Sequence, residues 1–149
     1  MSKNKKGRET EERCRKLLLT IPGATIQQID WTLRLFDRYV NIECKYKTKL
    51  WRDPNNPNFV GAGMDNSQIF LRNILLEDKK ERTILFIFVK NDLNIYYQYV
   101  DILLEGECVD CYWSIPPSTI FSINSFKIWG KEPLKEIESF IYFIGENLS

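Results

Sequence analysis

The sequence predicts an α/β protein of the α+β kind, a mixed sheet flanked by helices, and three observations carry that prediction. Apolar residues recur at three- and four-residue spacing near both ends of the chain, alternate with polar ones from Thr25 to Lys45, and run unbroken from Ile84 to Val89. These are the patterns of amphipathic helices, of half-buried strands and of a central strand buried on both faces. A chain of 149 residues suits a single domain. The order of elements is helix, β-hairpin, helix, strand, strand, irregular segment, helix, as expected when helical layers cover a sheet.

Residues 1–7 (MSKNKKG) read as a basic arm. From Arg8 to Thr20 the pattern is helical, with Cys14, Leu17, Leu18 and Ile21 on one side, and Pro22-Gly23 ends it. The period then switches to two. Ile29, Trp31, Leu33 and Leu35 share one face, with Gln28, Asp30, Thr32 and Arg34 on the other. After Asp37-Arg38 the alternation resumes, Val40, Ile42 and Cys44 against Asn41, Glu43 and Lys45, so the segment reads as a β-hairpin turning at Asp37-Arg38.

Residues 49–64 are rich in Pro, Asn and Gly and read as a loop. Asp65 or Ser67 caps a helix over 66–78. Thr83 to Val89 forms the buried strand, Ile95 to Val100 another, and 105–130 is irregular, with short strand candidates and a break at Pro116-Pro117. Pro133 opens the final helix. Its stripe of Leu134, Ile137, Ile141, Ile144 and Leu148, broadened by Phe140 and Phe143, packs on its own domain or forms a homodimer contact. The core is placed in residues 8–90, with 91–149 as an extension ending in that helix.

Composition narrows the function classes. With 44% hydrophobic and 13% aromatic residues the chain can fill a core. A net charge of +1 offers no bulk argument for nucleic acid, so any such argument must be local. No apolar stretch follows the lysines of the N-terminus, and no run approaches the roughly 20 residues that span a bilayer. A soluble intracellular protein is expected. Richness in Lys, Ile and Asn fits an A·T-rich genome, such as a viral or mobile one. The absence of histidine removes histidine bases, triads and metal ligands together. Cys108 and Cys111 form a lone CxxC, short of the four ligands of structural zinc, which leaves a disulfide or two ordinary thiols. Cys14 and Cys44 fall in apolar patterns and read as buried thiols.

If Asp37 and Arg38 are the turn residues, Asp30 lies opposite Lys45, and cross-strand neighbours have Cβ atoms about 5 Å apart. Asp30, Glu43 and Lys45 then cluster on the polar face of the hairpin. Two carboxylates beside an ammonium make a site for a hard divalent cation such as Mg²⁺, completed by waters and substrate phosphate. The lysine can orient a metal-bound water or stabilise charge on the attacked phosphate. A cross-strand ion pair on an exposed face is the plainer reading. A second Glu-x-Lys, Glu77-Asp78-Lys79, falls in a charged helix end and reads as a solvated terminus. Glu11 shares a helical face with Cys14 and Leu18, which aims a carboxylate toward the packed side, as a further ligand or at the helix edge.

These residues resemble the PD-(D/E)xK nuclease superfamily, which has a restriction-endonuclease-like core: a helix with a glutamate, a strand aspartate, a strand Glu-x-Lys, then a helix and a strand. Within it the pattern is most similar to archaeal Holliday junction resolvases, in Lys5-Lys6-Gly7 followed by Glu11, in Ile42-Glu43-Cys44-Lys45, and in Gln68 followed by the apolar strand ending at Lys90. The resemblance covers residues 5–90. It implies metal ligation by Asp30 and Glu43, catalysis by Lys45, support from Glu11 and an auxiliary role for Gln68. It also implies Mg²⁺ or Mn²⁺ as cofactor, DNA as substrate, a homodimer, and 3′-hydroxyl and 5′-phosphate products. The local sequence departs from the pattern in having Ile29, not proline, before Asp30, and Asp37 is the alternative ligand if the turn is longer.

Lys5, Lys6 and Arg8 before the site and Lys47, Lys49 and Arg52 after it are either a phosphate path or solubilising charge. Trp51 and Phe59 either stack on nucleic acid or pack beneath their loop. Three functions stay open: a structure-specific endonuclease, a sequence-specific restriction-like or homing-like endonuclease, and a nucleic-acid-binding protein without catalysis on the same fold.

Overall fold

The computed structural model describes residues 5–27, 32–35 and 38–147. Helix α1 (Lys5–Leu19) begins inside the basic arm and buries Thr10, Cys14 and Leu18. Three antiparallel strands follow, β1 (Thr25–Gln27), β2 (Thr32–Leu35) and β3 (Arg38–Lys47). A hairpin of β4 (Trp51–Asp53) and β5 (Asn56–Asp65) leads into α2 (Asn66–Lys79). Then come β6 (Thr83–Val89), β7 (Ile95–Tyr99), the short α3 (Val100–Glu105), β8 (Cys108–Cys111), β9 (Ser118–Ser122), β10 (Lys127–Trp129) and α4 (Pro133–Asn147).

The strands form two sheets, a six-stranded one in the order β1-β2-β3-β6-β7-β10 and a four-stranded one in the order β4-β5-β9-β8. β3 and β6 run parallel, and the other described pairs are antiparallel. The molecule is thus a mixed α/β protein, as its sequence predicts. Among the described residues no helix is long and apolar enough to cross a membrane.

β6 explains the layering. All seven of its residues are buried, because alternate side chains enter two different cores. Ile84, Phe86 and Phe88 meet Cys14 and Leu18 of α1 and Phe140, Phe143 and Ile144 of α4. Leu85, Ile87 and Val89 meet Ala62 and Met64 of β5, Ile69 of α2, Leu103 of α3 and Phe121 of β9. The stripe on α4 therefore packs on its own domain through Phe140, Phe143 and Ile144, while Leu134 stays exposed.

The structure corrects three expectations. The stretch from Thr25 to Leu35 is two strands, which pair with each other at Ile26 and Leu33. The ladder of β2 and β3 joins Leu33 to Val40 and Leu35 to Arg38, two residues away from the predicted register. Shifting a strand by one residue exchanges its faces, whereas shifting by two preserves them, so alternation alone cannot separate these registers. The predicted loop at 49–64 is the β4–β5 hairpin. Its glycines mark close backbone approach, since a Cβ at Gly61 or Gly63 would stand 2.0 or 1.9 Å from a carbonyl oxygen of β9. The short strand candidates of 105–130 are β8, β9 and β10.

Cys108 and Cys111, three residues apart on a strand, project to opposite faces of the smaller sheet, one toward Leu103 and the other beside Phe59 and Ile120. Both are free thiols, and side chains sent to opposite faces are not placed to share a disulfide or a metal ion. Burial pushes both thiols above the ordinary cysteine range, and nearby carboxylates add to this.

Candidate active site

The polar face of β3 is built by its alternation. Ile42 belongs to the core under α1 and α4, with Cys44 and Tyr46 packed against it. Asn41, Glu43, Lys45 and Lys47 therefore project to the other face, in register with Thr83, Leu85, Ile87 and Val89 of β6. The described ladder with β2 ends at Asn41, so Glu43 and Lys45 lie beyond that neighbour. α2 covers this face and supplies Arg72.

Glu43 Oε1 stands 3.4 Å from Lys45 Nζ, and the Arg72 guanidinium donates to Glu43 Oε2 at 2.6 Å. The three side chains are 19%, 25% and 20% exposed, so the cluster is half-buried yet open to solvent. Burial pushes the Lys47 ammonium below the ordinary lysine value, Lys45 pushes it the same way, and Asp65 opposes both. Three cations, Lys45, Lys47 and Arg72, thus attend two carboxylates, Glu43 and Asp65. Gln68, one turn before Arg72 on the same helical face, holds a buried Oε1 without a hydrogen-bond partner.

Of the residues singled out from sequence, the structure brings Glu43 and Lys45 together, with Lys47 on the same strand face and Gln68 on the facing helix. Asp30 and Asp37 lie outside the described residues, as does the expected pairing of Asp30 with Lys45. α1 covers the opposite face of the sheet, so half-buried Glu11 sits on the other side from Glu43. Lys5, Lys6 and Arg8 are exposed at the start of α1, where Lys6 pairs with Glu9 at 3.4 Å and lies over the Tyr46 ring. Lys49 is exposed, and exposed Arg52 donates to the Pro57 carbonyl within its own hairpin. Trp51 and Phe59 pack together beside Cys111 and Ile120, so they pack inward. Sequence reasoning missed Arg72, although its position four residues after Gln68 was the available signal.

A hard divalent cation takes about six oxygen ligands. Among the described residues no group of three His, Cys, Asp or Glu comes together to hold one. The Glu43 carboxylate and the orphaned Gln68 Oε1 are donors of the right kind, and a second carboxylate from Asp30 would be needed to complete a site. The described residues fit the cation in kind, and they also suit an anion, since cations outnumber carboxylates. No protein-family model matches the chain, and no curated protein matches it.

Proposed function

We propose that this protein is a metal-dependent DNA endonuclease of the PD-(D/E)xK kind, structure-specific in the manner of Holliday junction resolvases. The observation that carries the reading is Glu43 beside Lys45 on one half-buried strand face, 3.4 Å apart. Support comes from connectivity: a helix, antiparallel strands, the strand bearing Glu43-Cys44-Lys45, then α2 and parallel β6 follow in the order of that core, with the β4–β5 hairpin inserted between β3 and α2.

Glu43 and Asp30 would hold Mg²⁺ or Mn²⁺, which when bound supplies an activated water and neutralises phosphate charge. Lys45 holds its proton beside the attacked phosphate and stabilises the charge that develops there. Arg72 holds the Glu43 carboxylate that a cation would share, and its guanidinium would be available to a phosphate oxygen if released from Glu43. Lys47 adds a further phosphate contact. Cutting two strands calls for two such sites, which a homodimer supplies, and an intracellular setting, viral or mobile in origin, accords with the composition.

The test is cleavage of a labelled four-way junction, a flap and a linear duplex, with Mg²⁺ and with chelator. Metal-dependent cutting confined to branched DNA is the expected result. Cutting of particular linear sequences would favour the restriction-like alternative. The grip of Arg72 on Glu43 favours a second reading, a nucleic-acid-binding protein without catalysis. DNA binding with no cleavage of any substrate would establish that reading in place of the first.

A further inference from the structure

Large apolar side chains that stay in water are gathered in one region of this protein. Among the described residues eleven are exposed, and six of them lie on α2 or on the loop joining β8 to β9. Phe70, Leu71 and Ile74 of α2 are 67%, 51% and 37% exposed, and Tyr112, Trp113 and Ile115 of the loop are 77%, 57% and 98% exposed. Scattered apolar residues are ordinary on a surface, whereas a gathered set marks a contact.

The loop is anchored where the apolar stripe of α2 begins. The Asn66 amide donates to the Pro117 carbonyl at 2.9 Å, and Thr119 Oγ1 donates to Asn66 Oδ1 at 2.7 Å. Asn66, Phe70 and Ile74 follow one another at four-residue spacing, so they form one row along the helix. Ser114 ties the loop across its own base, with Oγ 2.8 Å from the Cys111 and Pro116 carbonyl oxygens and 3.1 Å from Ser118 Oγ. Helix and loop thus offer apolar surface on fixed supports, with little order to lose on association.

Charge and size say what fits there. The exposed polar residues along this row and beside it, Asn66, Ser67 and Asn73, are uncharged, and Arg72 is turned onto Glu43. Residues 112–118 carry no charge. Carboxylates stand at the rim, Glu77 and Asp78 at the far end of α2 and Asp53 and Asp110 near Cys111 at the base of the loop. An uncharged centre of aromatic and aliphatic side chains is the composition of a protein–protein contact, and the acidic rim repels a phosphate backbone. Taking a large side chain as about 200 Å², the six expose about 800 Å² between them. A second copy brings an equal patch, so the pair would bury up to about 1,600 Å², within the roughly 1,200–2,000 Å² of a stable interface.

We propose that α2 and residues 112–117 form the surface through which two copies of this chain pair about a two-fold axis. The proposal goes beyond the nuclease reading and does not rest on it, although it supplies the two copies that cutting both strands needs.

The experiment measures the mass of the full chain, without DNA, by sedimentation equilibrium across a range of micromolar concentrations. The unmutated protein is expected at twice the mass of one chain. Phe70→Glu should raise the dimer dissociation constant on the order of 100-fold, because a carboxylate would be buried against the other copy. Ile115→Glu should act in the same direction, and Phe70→Leu should keep the dimer. Leu134→Glu, on α4 and exposed as well, should leave the mass unchanged. Rising salt should tighten the pair, since it screens the rim carboxylates. Far-UV circular dichroism controls for folding, and at these exposed positions the spectrum should not move.

A monomer at every concentration, or a dimer that Phe70→Glu leaves intact, would overturn the proposal. So would a dimer broken by Leu134→Glu alone, which would place the contact on α4. A silent Ile115→Glu would remove the loop from the surface, and weakening by salt would show charge holding the pair in place of this patch; either result overturns the proposal as stated. The readout is mass, so failure of the nuclease reading would appear in the cleavage panel and leave the dimer standing.

Discussion

Two charged clusters on this protein are built from similar groups and differ in how they are closed. Arg82 and Asp101 form a two-pronged pair, with Nε to Oδ1 at 3.2 Å and Nη2 to Oδ2 at 2.8 Å, and the guanidinium lies 3.7 Å from the centre of the Tyr99 ring. Both carboxylate oxygens are met by the guanidinium, and the flat face of the cation is covered. Glu43 instead meets Arg72 and Lys45 together, with Lys47 on the same strand face, and the surplus of positive charge faces solvent. A matched, covered pair is what a fold keeps for stability. An unmatched set, where like charges are held together, is the arrangement that a ligand of opposite charge would complete.

The largest effect expected from this contrast concerns chemistry. Glu43→Gln should lower Mg²⁺-dependent cleavage on the order of 10³-fold. Metal-free DNA binding should be kept or tightened, because one negative charge is removed. Arg82→Ala should leave cleavage within about twofold, because its carboxylate partner is Asp101 and not Glu43. Comparable cleavage by Glu43→Gln and the unmutated protein would erase the distinction between the clusters.

The next effect is on alkaline stability and belongs to the covered side. Burial pushes the Tyr97 and Tyr99 phenols from 10.0 to about 12. Below pH 10 these phenols are protonated whether folded or not, so that stability is fully present. As pH rises from 10 to about 12 the unfolded chain gives up its phenolic protons first, and stability falls. Urea midpoints measured across that window should decline, and a flat profile would contradict the burial of these phenols.

Arg82→Ala itself should cost about 2 kcal/mol in urea unfolding, since it leaves Asp101 half-buried without its bidentate partner. A loss below about 0.5 kcal/mol would show the pair behaving as an ordinary surface bridge. The smallest change is expected from Arg72→Ala. It should reduce the salt slope of DNA binding by about one phosphate contact and leave the unfolding midpoint nearly unmoved. An unchanged slope would remove Arg72 from the phosphate path.

The sequence alone determined which face β3 presents, that β6 is buried on both faces, and where most helices lie. Glu43 and Lys45 share a face because side chains on a strand repeat every two residues. The burial of β6 follows from its unbroken apolar run, and the helix at Pro133 from its stripe. These are local periodicities, readable without knowing any partner.

What tertiary structure decided depends on contacts between distant segments. Strand register was one such matter, because Leu33 meets an apolar neighbour whether it faces Val40 or Ile42. The strand at Gly61 and Gly63 was another, since glycine reads as loop until a second backbone is seen to need the space. The thiols of Cys108 and Cys111 separate because a strand sends them into different cores. Arg72 reaches Glu43 from a helix 29 residues further along the chain, and Thr119 of β9 meets Asn66 at the start of α2 across 53 residues. No local pattern encodes such meetings. They follow from the one packing that buries both faces of β6 at once, and that packing is a property of the whole chain.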